Sequence, residues 1–274
     1  MGDSLEPVRA MPPEAARYIA ESARLANAID WSGYRIWRDA PYGPSPHQQL
    51  DVFAPRDEPT SALPVFMYIH GGGWTHGDKG WMSFMAPTIT ALPAVFVSPG
   101  YGLAPEYSHP TPIEDCLAAL AYVRAHAADF GANPNRIYLG GHSVGGHIAS
   151  MIALRPALLD KYGIPAESIR ACIPVSGLFR VLGDDPTAAH DLDDASPMHW
   201  AAQAAMPFYV SYGENDYDRI VEENGDFIAG LGQTGIALQV HALAGLDHYT
   251  ANLSHADPGS TWYCAVADLL RKTS

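Results

Sequence analysis

The sequence predicts an α/β protein built on a mostly parallel central sheet with helices on both faces. Three observations carry that prediction. Short apolar runs alternate with helix-compatible segments along most of the chain. Three of those runs, ending at Ile69, Leu139 and Tyr212, are followed directly by polar, glycine-rich sequence. In such sheets the chemistry sits outside the carboxyl ends of the strands. Finally, Gly141-His-Ser143-Val-Gly145 lies between an apolar run that begins at Ile137 and an apolar, helix-compatible segment from Ile148 to Leu154.

In chain order, Pro12 to Ala28 opens with prolines and continues with alanine-rich helical periodicity. It predicts one N-terminal helix, packed on the body or over the site. Tyr34 to Arg38 and Gln48 to Phe53 alternate polar with apolar residues, as antiparallel strands at a sheet edge do, and the proline-rich run of residues 41–46 between them is a turn. Val65 to Ile69 reads as a buried strand, Thr88 to Leu92 as the end of a weak helix, and Ala94 to Val97 as the next strand. Glu114 to Ala128 is strongly helical and ends near Gly131, and Asn133-Pro134 reads as a turn into the strand before Ser143. Ile169 to Val175 and Phe208 to Tyr212 are further strands, Arg219 to Leu231 is a helix, Leu238 to His241 a strand and Thr261 to Leu270 a closing helix. Residues 177–206 lose all period and carry Asp184, Asp185, Asp191, Asp193 and Asp194; this excursion reads as a lid. The expected organisation is one domain over 1–274, with 1–46 as an N-terminal helical or cap segment.

Composition narrows the function. A chain of 274 residues with 47% hydrophobic content can bury a large core in one domain. A net charge of −14 argues against nucleic acid or an anionic membrane surface as partner. No apolar run reaches the roughly 18 residues that span a bilayer. The start of the chain, Met1 to Pro7, carries no basic stretch followed by an apolar one. Cys116, Cys172 and Cys264 are odd in number and far apart, which reads as buried thiols in a reducing compartment. The expected location is the cytoplasm. A homodimer through an edge strand or the closing helix is compatible with the sequence, but no feature demands it.

The chemistry rests on two motifs and a chain order. A G-x-S-x-G between strand and helix is a nucleophile elbow, a tight turn that lifts one serine hydroxyl above the sheet. Gly141 and Gly145 leave room for neighbouring backbones, and the helix after Ser143 aims its amides and positive dipole end at a developing oxyanion. A serine hydroxyl needs a base, and the base needs an orienting carboxylate. Asp216 lies just past one strand end and His248 just past the last, so Ser143, Asp216, His248 is the expected order of nucleophile, acid and base. Asp218 is the neighbour best able to replace Asp216, with Glu214 weaker; His241 and His255 are weaker bases than His248, and Asp247 is left out. In His70-Gly71-Gly72-Gly73-Trp74, glycines let backbone N–H groups approach a reacting carbonyl. The amides of Gly72, Gly73 and Val144 are the expected oxyanion hole, each donor contributing about 3 kcal/mol to the transition state. His70 is expected to order the loop. The histidine pairs His70/His76 and His142/His147 lack a further ligand at convincing spacing, and no phosphate-binding or dinucleotide fingerprint is present, so neither metal nor cofactor is expected.

With these motifs the chain resembles the α/β-hydrolase superfamily, in the branch of hormone-sensitive-lipase-like esterases and kynurenine-formamidase-like hydrolases. Tyr101-Gly-Leu-Ala-Pro-Glu-Tyr107 is similar to that branch's Y-R-L-A-P-E segment, with Gly102 in place of arginine, and Gly213-Glu-Asn-Asp216 matches its acid motif. His142 stands where the lipase-like esterases usually have Asp, which with His147 leans toward the formamidase-like side. The resemblance runs from about Gln48 to the C-terminus and implies the α/β-hydrolase fold with a small cap.

The expected function is hydrolysis of a small carboxylic ester through an acyl-enzyme. The alternative is an aryl formamide or amide hydrolase, and a third reading is a non-catalytic binding protein of the same fold. Trp74, Trp81, Phe84, Tyr107, Phe179, Trp200 and Tyr249 fall in or near loops expected to face the site, as a pocket for an aryl or short apolar small-molecule substrate.

Overall fold

The computed structural model describes residues 11–57, 61–187 and 189–272. The Met1–Pro7 stretch, with the rest of residues 1–10, and residue 188 of the 177–206 excursion lie outside the described residues. In chain order the elements are α1 (Pro13–Asn27), β1 (Tyr34–Pro41), β2 (Gln49–Pro55), β3 (Leu63–Ile69), α2 (Ala86–Ala91), β4 (Val95–Pro99), α3 (Thr111–Ala125), α4 (Ala127–Phe130), β5 (Ala132–His142), α5 (Val144–Leu154), α6 (Pro156–Lys161), β6 (Ile169–Val175), α7 (Pro197–Trp200), β7 (Phe208–Gly213), α8 (Asp218–Gly232), β8 (Leu238–Leu243), α9 (His248–Leu253) and α10 (Thr261–Lys272).

The strands form one eight-stranded sheet in the order β1-β2-β4-β3-β5-β6-β7-β8. β1 and β2 pair antiparallel, as do β2 and β4; every later pairing is parallel. The period-2 alternation of the strands sorts their side chains into two cores. Val65, Met67 and Ile69 of β3, Ile137 and Leu139 of β5, and Phe208 and Val210 of β7 face α3, α5 and α8. Phe66, Tyr68, Tyr138 and Tyr209 face the other way, toward α1, α2, α9 and α10. The first core is largely aliphatic and the second aromatic. In the second, Trp262 of α10 is fully buried, edge-on to Phe66 at 5.9 Å and stacked on His255 at 3.7 Å.

The helix after the elbow does begin directly beyond Ser143, at Val144, as expected. Its opening Val-Gly-Gly has poor helix propensity, but all eleven residues are buried and packing overrides propensity. Several boundaries differ from the expectation, each for a physical reason. The expected helix Glu114–Ala128 is two helices, α3 and α4, with the break at His126. α4 ends on Gly131 in the left-handed region, φ 73. Asn133-Pro134 lies inside β5 and not in a turn before it. Leu63 pairs with Ala132 and Val65 with Ile137, so Asn133 to Arg136 bulge outward at a point where proline forfeits no ladder hydrogen bond. Cys116 and Cys172 are buried, whereas Cys264 is exposed on α10. No helix among the described residues is long and apolar enough to cross a membrane.

Truncating Trp262 to Ala should destabilise the protein by about 3–5 kcal/mol, because it leaves a large cavity between α10 and the sheet. Urea unfolding followed by tryptophan fluorescence or circular dichroism measures it; a loss below about 1 kcal/mol would show that α10 contributes little to the second core.

Candidate active site

The site is built at the carboxyl ends of β3, β5 and β7 and the loop after β8. β5 is the central parallel strand, and the chain leaves it through Ser143 at φ 55, ψ −121, a conformation costly for any residue with a Cβ. Two close approaches make the turn possible. A Cβ on Gly141 would lie 2.3 Å from the Gly145 carbonyl oxygen, and one on Gly145 would lie 2.1 Å from that of Ile69. Ser143 N donates to Val175 O at 3.0 Å and His147 N to Ser143 O at 3.1 Å, which ties the turn to β6 and starts α5.

His248 is the first residue of α9. Asp247 caps that helix: its carboxylate accepts from Tyr249 N and Thr250 N, and Thr250 Oγ1 accepts in return from Asp247 N. This is a capping box, and it fixes where the His248 side chain emerges. His248 Nδ1 donates to Asp216 Oδ1 at 2.8 Å, which leaves Nε2 as the acceptor nitrogen on the cavity side. Burial works to raise the Asp216 carboxyl pKa. The His248 hydrogen bond and charge, with the Ser176 hydroxyl and the Tyr217 amide, outweigh it and hold Asp216 below the ordinary value. Ser176 Oγ and Asp216 Oδ2 stand outside hydrogen-bonding geometry, so Ser176 acts through its proximity.

Ser143, Val144, Gly72, Gly73 and His248 line one cavity of about 540 Å³. Ser143 and His248 thus face the same space. The glycine loop turns back on itself: His76 N donates to Gly72 O at 2.9 Å, and Gly72 (φ 136), Gly73 (φ 60) and Trp74 (φ 69) all have positive φ. At Gly72 a Cβ would fall 1.9 Å from His76 O, so only glycine fits. Among the described residues the Gly72 and Gly73 amides donate no backbone hydrogen bond. Trp74 tolerates its positive φ because it is locked: it is 3% exposed, edge-on to His147 at 4.7 Å, and its carbonyl accepts from Ala104 N at 2.9 Å. His70 Nδ1 donates to Gly71 O at 2.8 Å, and the ring stacks on Tyr101 at 4.3 Å.

The alternative residues lie elsewhere. Glu214 accepts from Gly245 N, His241 is bonded to the Tyr209 hydroxyl, and His255 is buried against Trp262 and Tyr68. Asp218 starts α8 and is exposed. Among the described residues no group of three or more His, Cys, Asp or Glu side chains is placed to hold a metal.

Of the aromatic residues expected in the pocket, Trp74, Trp81 and Tyr249 line the cavity. Four do not. Phe179 is fully buried and stacked on Phe227 at 3.8 Å, because α8 packs over the chain after β6. Trp200 lies beneath the Arg155 guanidinium, 4.4 Å from the ring centre, and donates to Asp194 O. Phe84 is buried in the aromatic core. Tyr107 packs on His47 at 4.3 Å and lines a separate polar cleft. There it fills the space a side chain at Gly102 would need, since a Cβ would lie 2.6 Å from the Tyr107 ring. Buried Asp115 then takes its partners from His47 Nε2, Gln48 Nε2 and Gly102 N.

Sequence reasoning did not single out several wall residues. Met11, Pro12, Ala15 and Tyr18 bring the start of α1 over the cavity. Tyr217, Arg219 and Ile220 come from α8 and the loop before it, and Leu178, Asp185 and Pro186 from the 177–206 excursion. Arg219 ties these together: it grips Asp185 with two nitrogens, Glu223 with a third, and the Arg180 carbonyl. The amphipathic periodicity of α1 was the available signal for its placement; nothing in the sequence marked Arg219.

The sequence profile of a family described as "alpha/beta hydrolase fold" matches residues 66–221, more than half the chain. The chain belongs to the α/β-hydrolase fold family. Among curated relatives this α/β hydrolase is 30% identical to "Esterase LipC" of Mycobacterium tuberculosis (strain ATCC 25618 / H37Rv) over 216 residues, 69% of this chain and 53% of the relative. It is 41% identical to "Carboxylesterase NlhH" of the same organism over 92 residues, 33% of this chain and 29% of the relative. The chain spans about half the length of the curated relatives it matches, with 53%, 61% and 56% of three mycobacterial esterases covered. Among solved structures, "ESTERASE B from Lactobacillus Rhamnosis (HN001)" superposes with a TM-score of 0.78 at 18% identity, covering 95% of this chain and 91% of that one. "Bacterial Heroin Esterase" superposes with a TM-score of 0.74 at 22% identity, covering 98% and 93%.

Two predictions follow from the burial of four histidines and from the α9 cap. Burial lowers the pKa of His70 to about 4 and of His147 to about 3, and also lowers His142 and His255. Between about pH 6.5 and 4 the unfolded chain binds protons that the folded one refuses, so stability is full above pH 6.5 and falls with pH, by about 3 kcal/mol at pH 4 for His70 alone. Urea titrations at pH 7, 5.5 and 4.5 read this slope, and a flat profile would contradict neutral burial. Asp247→Ala should cost about 1 kcal/mol of unfolding free energy through loss of the cap, measured in the same assay.

Proposed function

We propose that this protein hydrolyses small carboxylic esters through a covalent acyl-enzyme. The observation that carries the reading is the single cavity in which Ser143, on a strained elbow, meets a His248 already oriented by Asp216 at 2.8 Å. Ser143 Oγ attacks the ester carbonyl carbon while His248 Nε2 takes its proton. Asp216 stabilises the imidazolium that forms. The carbonyl oxygen, now negative, is held by the amides of Gly72, Gly73 and Val144, the last at the positive end of α5. The intermediate collapses as His248 returns the proton to the departing alcohol, and a water repeats the sequence to release the acid.

The wall of Tyr18, Trp81 and Tyr249 on one side and Leu178, Pro186 and Ile220 on the other supports a small apolar or aryl substrate. The relatives named as esterases support the same bond class. The acyl-transfer machinery would also cleave an aryl formamide, so the formamide is the competing arm of the test.

Hydrolysis of p-nitrophenyl acetate, butyrate and octanoate, beside N-formylkynurenine, tests the reading. Wild type should prefer a short-chain ester, Ser143→Ala should lose at least about 10³-fold in kcat, and Asp216→Asn about 10⁴-fold by leaving the base in the wrong tautomer. A formamide kcat/KM far above every ester would move the assignment to an amidase. Undiminished activity in Ser143→Ala would sink it.

A further inference from the structure

We propose that His142, the variable residue of the elbow, is a positioning residue that sets His248 over Ser143 by donating its Nε2–H to the His248 carbonyl. The inference rests on the Ser143–Asp216–His248 reading above and adds a fourth side chain to it.

The two rings come from places 106 residues apart in sequence, yet His142 Nε2 lies 2.8 Å from His248 O. A carbonyl oxygen can only accept, so Nε2 must carry the proton and Nδ1 must be the bare nitrogen. The His142 ring is 2% exposed, 4.6 Å centre to centre from the His248 ring, with the Tyr18 ring 6.0 Å away. It has room because residue 71 is glycine: a Cβ there would lie 3.1 Å from His142 Nδ1 and 2.9 Å from His142 O.

The placement has a mechanical meaning. His142 is joined to Ser143 by one peptide bond, at the end of the central strand β5. His248 opens α9, a helix of only six residues that follows an edge strand. The His142–His248 hydrogen bond is therefore a direct link between the backbone that carries the nucleophile and the backbone that carries the base. The remaining holds on α9 run to other elements. Asn252 accepts from the Tyr68 hydroxyl at 2.8 Å and donates to the Tyr18 hydroxyl at 2.7 Å, which ties α9 to β3 and α1 but not to the elbow.

The chemistry of the ring also suits the place. Burial, followed by the charge of His248, lowers the His142 pKa and keeps the ring neutral. A neutral donor can hold the His248 backbone without opposing the positive charge that His248 acquires during catalysis, as a lysine or arginine there would. A misplacement of about 1 Å between nucleophile and base costs on the order of 100-fold in rate, so loss of this link should be visible in kcat.

Three measurements test it. In wild type, a long-range proton–nitrogen correlation spectrum, assigned by difference with His142→Gln, reads the His142 tautomer; Nε2–H is expected, and an Nδ1–H tautomer overturns the proposal without any variant having to be active. His142→Leu, which fills the space without a donor, should lower kcat for p-nitrophenyl acetate about 10–100-fold with KM changed less than about twofold. His142→Gln, whose amide nitrogen reaches about where Nε2 sits, should restore most of that loss. A kcat for His142→Leu equal to wild type, or a Gln variant as impaired as the Leu one, overturns the proposal. If His142→Leu does not fold, the wild-type tautomer and the His142→Gln rate decide. Ser143→Ala in the same assay separates the two levels: an active Ser143→Ala removes the triad reading itself, whereas an inactive Ser143→Ala with an unimpaired His142→Leu removes only the role of His142.

Discussion

The strained backbone of Ser143 is the constraint on which the site depends. A residue with a Cβ at φ 55, ψ −121 persists only where its surroundings allow nothing else. Those surroundings are β5, paired on both sides by parallel strands, and α5, buried along its whole length. The β3 backbone passes so close to Gly145 that no side chain fits there. The sheet thus holds the hydroxyl out into the cavity, and the same close approach of β3 and α5 delivers the glycine loop beside it. Ser143 and the glycine loop are neighbours because two backbones are packed tighter than any side chain would permit.

His248 is held by different means. α9 is too short to be stable by itself, and it follows an edge strand. It is fixed by a capping box at Asp247, by the buried Tyr68–Asn252–Tyr18 chain and by His142. Each of these comes from a different element: the loop after β8, the β3 strand with α1, and the elbow itself. Helix α1 therefore matters twice, as part of the cavity wall and as one side of the clamp on α9.

Charge is used sparingly around the cavity. Arg219 faces Asp185 and Glu223, while Glu223 also accepts from the Phe179 and Arg180 amides. That cluster pins the chain after β6 to α8 and pairs the Arg219 guanidinium at the cavity wall with two carboxylates. On the far side of the glycine loop, buried Asp115 takes its partners from His47, Gln48 and the Gly102 amide.

Sequence alone determined what depends on local pattern. Alternating apolar runs placed the parallel sheet, and glycine spacing marked the elbow and the His70–Trp74 loop. Position at strand ends singled out Ser143, Asp216 and His248 as candidates, since parallel sheets bring those ends to one edge whatever the intervening chain does. Tertiary structure decided what depends on long-range packing. It withdrew Phe179, Trp200, Phe84 and Tyr107 from the pocket, because an aromatic residue in a loop is indistinguishable in sequence from one swallowed by a helix packed over it. It added Tyr18 and Arg219 to the walls, and it set His142 against a carbonyl 106 residues away. A hydrogen bond between such distant residues leaves no period, spacing or composition in the sequence; only the folded backbone, by fixing both ends, brings it into being.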